Sequence, residues 1–255
     1  MAKKNNPIAP WVLFVASACL LAAGWWMKPF PVLIVFGFVP LFALVDQVKD
    51  NASFWTHIEL ILLALVVGIF AAHHFEMSNL VAAMVQGIVF ALAFLAYNFS
   101  HQQLGERLGK FTIIFFWLGL EYLLLKLPWR NNVVFLADVL ALKPKWTQWT
   151  HYTGYLGVSL WILVTSLVFY LGLLRQGIHW YWLAAGVLLL AAPVVYSLTI
   201  HQSGVNHSQM ITLYDTGQAT SNRYLKEGEL VSRTAAWISI VILLLALVKT
   251  KTKKK

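Results

Sequence analysis

Apolar runs separated by short polar breaks set the rhythm of this chain. About 20 mostly apolar residues carry a helix across the hydrocarbon core of a bilayer, and that window finds eight segments. They are Trp11–Trp26, Pro31–Val48, Phe54–Phe75, Leu80–Phe99, Phe111–Leu127, Leu156–Leu174, Trp180–Ile200 and Thr234–Val248. The pattern predicts an all-α, polytopic membrane protein with about eight transmembrane helices in a single domain over residues 1–255. The second segment is short and carries Pro31 and Pro40 just after Pro29, so a kinked or tilted helix is expected there. No repeat or low-complexity linker interrupts the series.

Composition agrees with a chain built for lipid. Charged residues make up 11% of it and hydrophobic ones 60%, where soluble domains carry roughly a quarter charged residues. The formal charge of +9 resembles a nucleic-acid signal, but Lys3, Lys4 and the lysines from Lys249 to Lys255 hold much of it at the two ends. Basic ends beside apolar spans orient a protein and meet anionic lipid; nucleic acid is not an expected partner. With both termini on one side, that side carries eleven Lys and Arg against eight on the other, which predicts cytoplasmic termini. Cys19 is the single cysteine, so an internal disulfide is excluded. "ASAC" around it has the outline of a lipoprotein cleavage site. The apolar run continues to Trp26 and further spans follow, so a removed leader is not predicted.

Three polar groups bear on chemistry. Glu121 sits inside the fifth apolar segment, where a carboxylate faces a partner or a wet cavity, or ends its helix among headgroups. His73, His74 and Glu76 lie in "AAHHFEM", and His151, His201 and His207 fall on the same predicted side. The pair lacks the i, i+4 spacing of a helical zinc motif, and a solvated interfacial set is the plainer reading. The loop from His201 to Arg233 contains Ser, His and Asp but no nucleophile elbow. Finally, "KPKWTQWTHYTGYLGVSLW" gathers Trp146, Trp149, Tyr152 and Tyr155 before the sixth segment, as an aromatic belt at the membrane boundary would. Gly154 and Gly157 would allow a close helix approach there.

"TQWTHYTGYLGVSLWIL", Thr147 to Leu163, resembles the opening of the sixth membrane helix of bacterial apolipoprotein N-acyltransferase. "FFWLGLEYLLLKLPW" (Phe115 to Trp129) looks like that family's fifth helix, and "FPVLIVFGFVPLFALVD" (Phe30 to Asp46) like its second. "QLGERLGK" (Gln103 to Lys110), "APVVYSL" (Ala192 to Leu198) and "RYLKEGELVSRTAAWISI" (Arg223 to Ile240) follow in the family's order. The resemblance implies eight helices, cytoplasmic ends and a place in the bacterial inner membrane. It also implies a nitrilase-like domain, with a Glu-Lys-Cys triad, between helices seven and eight. Here residues 201–233 stand in that interval, an extracytoplasmic loop too short for any βαβ core.

By resemblance, then, the expected protein is a membrane half without its catalytic domain. It would be a lipid-binding scaffold or membrane subunit in lipoprotein N-acylation or envelope biogenesis, inactive alone. Glu121, Pro128, Trp129, Trp149, Tyr152, Gly154 and Gly157 would be kept for lipid and substrate contact. Expected partners are membrane phospholipid and a separately encoded nitrilase-like subunit or a lipoprotein. No cofactor or metal is implied. "RNNVVFLADVLALKPK" departs from the family's continuation after Pro-Trp, which would alter lateral entry. Two other readings stay open: a transferase with an outer-face site of His73, His74, Glu76, His151 and Glu121, and a structural subunit of an envelope secretion or motility complex.

Overall fold

Apolar segments of this length can satisfy their backbone in lipid only as helices or closed barrels. The computed structural model is helical throughout, with no strand among the described residues. These are residues 8–27, 30–48, 51–105, 110–128, 130–141, 143–175, 177–200, 204, 206, 208–210 and 229–253. The helices are α1 (Pro10–Trp26), α2 (Leu33–Asp46), α3 (Asn51–Ala72), α4 (Leu80–Leu104) and α5 (Phe111–Lys126). After them come a single turn α6 (Thr150–Thr153), α7 (Gly157–Leu173), α8 (Trp180–Thr199) and α9 (Leu230–Lys253). Among the described residues, eight long helices fall on the eight apolar segments with their ends offset. Four stretches of these residues are long and apolar enough to cross a membrane: Phe54–Ala72, Met77–Leu104, Trp180–Thr199 and Leu230–Lys251. At 14 residues, α2 is only about 21 Å long at 1.5 Å per residue.

The backbone falls into two compact units, Met1–Ala91 with Ile162–Ala191, and Leu92–Trp161 with Ala192–Lys255. In the first, α1 packs on α2 and α3 through small residues. Leu21 is almost fully buried and fits where α2 and α3 have no side chain. A Cβ on Gly37 would lie 2.7 Å from its Cδ2, and one on Gly68 would lie 3.0 Å from its Cβ. Ser17 Oγ adds a 2.7 Å hydrogen bond to the Gly37 carbonyl. Without a hydrophobic drive between helices in lipid, such close approach supplies the attraction.

The closest approach to another helix's backbone in this unit is at Gly24, whose Cβ would meet the backbone N of Ile34 at 2.8 Å. Backbone cannot rotate away, so Gly24→Val should destabilise the protein by about 1–3 kcal/mol. Thermal unfolding of the detergent-solubilised protein reads this directly. An unchanged midpoint would mean that α1 and α2 are not in contact at this position.

The second unit joins α5 to α9, again at a glycine: a Cβ on Gly119 would lie 3.2 Å from Ala236 Cα. Between α5 and α7 the chain makes 3-10 turns at Arg130–Asn132, Leu136–Leu140 and Pro144–Trp146. Phe135, Leu136, Ala137, Val139 and Leu140 are all buried in this stretch. The segment that departs from the N-acyltransferase pattern is therefore part of the core of its unit.

Candidate functional site

Glu121 follows Trp117 by four residues, one turn along the same face of α5. The indole Nε1 of Trp117 donates to Glu121 Oε1 at 3.2 Å, and the Leu136 amide donates to the same oxygen at 3.1 Å. The side chain is wholly buried, so the headgroup-exposed alternative for Glu121 does not describe it. The Ser159 hydroxyl faces the same carboxyl group. Yet Glu121 Oε2 and Ser159 Oγ have no hydrogen bond of normal geometry among the described residues.

A second carboxylate, Asp138, lies in the turn that Leu136 opens. Its Oδ2 accepts the Phe135 amide at 2.7 Å, and its Oδ1 accepts the phenol of Tyr155 in a short hydrogen bond. Tyr155 is held at its backbone as well. Its amide donates to Glu229 Oε1 at 2.8 Å, and the next amide, Leu156, donates to Glu229 Oε2 at 3.0 Å. One carboxylate thus takes the two amides that lead into α7, which have no acceptor within their own helix. Glu229 is also where α9 begins, its carbonyl accepting Ser232 Oγ and the Arg233 amide.

Gly154 makes this clasp possible. Its φ of 82° and ψ of 169° fall in a region open essentially to glycine alone. A Cβ there would stand 2.3 Å from Glu229 Oε2. The close approach expected of Gly154 is to a carboxylate at the entry to α9. At Gly157 the neighbours are Thr153 Oγ1 and the Trp149 ring, 2.3 and 3.4 Å from a built Cβ.

Burial sets the protonation of the cluster. It pushes the Glu229 carboxyl up to about 7, against the stabilising pull of the Leu156 and Tyr155 amides. Burial, then the charge of Asp138, raises the Tyr155 phenol well above its ordinary range, with Glu121 and Glu229 adding to the effect. Tyr155 therefore stays protonated at neutral pH and acts as a donor, whereas a nucleophile needs a neighbouring base or a depressed pKa.

Beside Tyr155 lies a cavity of about 760 Å³, within the range of small-ligand sites. Ala137, Leu140, Val158, Leu198 and Ile200 form apolar walls, while Lys145, Gln148, Asn206 and Gln209 supply polar groups. Trp149 flanks this region. Its amide makes a long 3.4 Å bond to Ser197 Oγ, and its ring meets Trp161 edge-on at 6.2 Å. Its buried Nε1 has no hydrogen-bond partner among the described residues. Tyr152 is exposed, with the His151 ring edge-on against it at 5.5 Å. Pro128 is exposed after the end of α5. Trp129, His201, His207 and most of the 201–233 loop lie outside the described residues.

His73 and His74 belong to the first unit. α3 ends at Ala72, and His74 and Phe75 then take left-handed φ values of 56° and 58°, reversing the chain. Phe75 packs edge-on against Phe70 and Trp26. Glu76 Oε2 accepts the Asn79 side chain at 3.2 Å. Burial lowers the pKa of the His73 imidazole, whose Nε2 has no hydrogen bond among the described residues. Among the described residues no three His, Cys, Asp or Glu side chains cluster as metal ligands would.

Asp138, Tyr155 and Glu229 complete the cluster, and none was singled out as a site residue from sequence. The signal that marks Glu121, a lone acid against apolar neighbours, was also present in "FLADVLAL" and before α9. No protein-family profile, curated protein or solved structure matches the chain.

Proposed function

We propose that the chain is an eight-span protein of the bacterial inner membrane, both ends cytoplasmic, that binds phospholipid. It would act as a membrane subunit in lipoprotein N-acylation or related envelope biogenesis, with acyl transfer supplied by a separate nitrilase-like partner. The observation that carries this reading is the cavity beside Tyr155, apolar on its α7 and α8 walls and polar along Lys145, Gln148, Asn206 and Gln209. An amphiphile matches such a lining: acyl carbon covers the apolar walls and the headgroup meets the polar set. The cavity is bordered by Thr147, Gln148, Tyr155 and Val158, within the Thr147–Leu163 stretch that resembles the opening of the N-acyltransferase sixth helix. Within the Glu121–Asp138–Tyr155–Glu229 cluster the carboxyl groups are engaged in holding backbone and phenol, which suits a rigid binding wall.

Leu140→Trp should put an indole into the apolar end of the cavity and obstruct the space for an acyl chain. The unaltered protein, purified in mild detergent, should retain phospholipid measurable by mass spectrometry, and the variant should lose most of it while remaining folded. Equal lipid in both would refute binding in this cavity. Purification from native membranes should also bring down a nitrilase-like chain, and deletion should leave lipoproteins with free amino termini. Unchanged N-acylation after deletion would end the proposed pairing.

A further inference from the structure

The cavity's polar groups have a direction. Asn206 Oδ1 accepts the Gln209 amide and the Ser208 hydroxyl, each at 2.8 Å, while Gln209 Oε1 accepts the Asn206 amide at 3.1 Å. This reciprocal bracket is a capping box. A backbone N–H can bond only to the oxygen of a carboxamide, so both side chains are fixed in orientation by their partners. Their oxygens are turned to the backbone, and what each has left to offer a ligand is its NH2 group, two donors apiece.

Gly204 stands against the turn that carries Lys145, the one cation among the described residues lining the cavity. A Cβ at Gly204 would lie 2.6 Å from the Thr147 carbonyl oxygen. The hydroxyls nearby are committed to backbone: Thr150 Oγ1 donates to the Thr147 carbonyl at 2.6 Å. No acidic side chain is among the described residues lining the cavity. Asp138 accepts the hydrogen bond of the Tyr155 phenol. A ligand therefore meets an ammonium and two carboxamide donor groups in this lining.

We propose that this cavity selects a phosphate-bearing group of net negative charge, the headgroup of an anionic phospholipid, over a zwitterionic one. The inference rests on the lipid-binding reading above and names the chemistry that the site distinguishes. Phosphate oxygens pair with Lys145, Asn206 and Gln209 in charge-assisted hydrogen bonds. A zwitterionic headgroup brings a second cation beside the Lys145 ammonium, and like charges there repel.

The test uses the full chain in detergent, delipidated, with binding followed by native mass spectrometry. Phosphatidylglycerol and phosphatidylethanolamine with identical acyl chains are titrated in parallel, and inorganic phosphate in a third arm. Phosphatidylglycerol should bind about tenfold more tightly, the scale of one charge-assisted hydrogen bond. Lys145→Gln should remove that preference and leave phosphatidylethanolamine binding within about twofold. Asn206→Asp keeps the oxygen that caps the turn but replaces the donor by a charge, so it should weaken the anionic lipid alone. Equal binding of the two lipids, both abolished by Leu140→Trp, would overturn the selectivity and leave the lipid site standing. Failure of both lipids to bind would overturn the lipid reading itself. Inorganic phosphate binding as tightly as phosphatidylglycerol would support the anion set and reject the lipid source.

Discussion

Gly154→Ala should unfold the detergent-solubilised protein at a markedly lower temperature, with a loss of about 3–5 kcal/mol. Two contributions add. The backbone at φ 82° and ψ 169° lies where a side chain costs about 1–3 kcal/mol. The new methyl also falls 2.3 Å from Glu229 Oε2 and 2.9 Å from its Cδ, and overpacking of this kind typically costs about 1–3 kcal/mol. Moving the carboxylate aside would release the Tyr155 and Leu156 amides, which it holds at 2.8 and 3.0 Å. A double-mutant cycle separates the parts. In a Glu229→Ala background the steric contribution has no target, so Gly154→Ala should cost only its backbone share. An identical cost in both backgrounds would show that the clash with Glu229 is not the cause.

The second large effect is a dependence of stability on pH through Glu229. Its carboxyl rises from 4.5 to about 7 on folding, chiefly by burial. Between those values the folded protein binds more protons than the unfolded chain, so stability falls as pH rises. The contribution is fully present below 4.5 and is lost as pH passes through about 7. At 1.36 kcal/mol per unit the window spans about 3 kcal/mol. Melting curves at about pH 5 and about pH 8 should differ accordingly, and Glu229→Gln should reduce the difference by about that amount. A slope unchanged in Glu229→Gln would place the titration at another group.

The helices were legible because a long apolar run in lipid leaves the backbone few alternatives. Their ends were less so. α3 starts at Asn51 and α4 runs to Leu104, beyond the Phe54 and Phe99 limits of the apolar windows, because Asn51 and the polar Ser100–Gln103 continue the helix outside the hydrophobic stretch. α9 likewise begins at Leu230 rather than Thr234. Glu121 stood out in sequence as a charge within an apolar helix, and Gly154 stood out by its spacing from Gly157. Their partners did not. The Glu229 bonds to Tyr155 and Leu156 span 74 and 73 residues, a pairing that no local pattern encodes. The three 3-10 turns between α5 and α7 escaped the reading for a similar reason: their apolar residues are fixed by packing rather than by helical or strand period.

Glu229 has a consequence for biogenesis. Residues emerge in order, so Tyr155 and Leu156 are synthesised while the only carboxylate that will hold their amides lies more than seventy positions ahead. The entrance to α7 is completed by the start of α9, and that helix also packs along α5. Closing this unit thus waits on a distant part of the chain: the cavity wall around Tyr155 takes its finished form only after Glu229 has emerged.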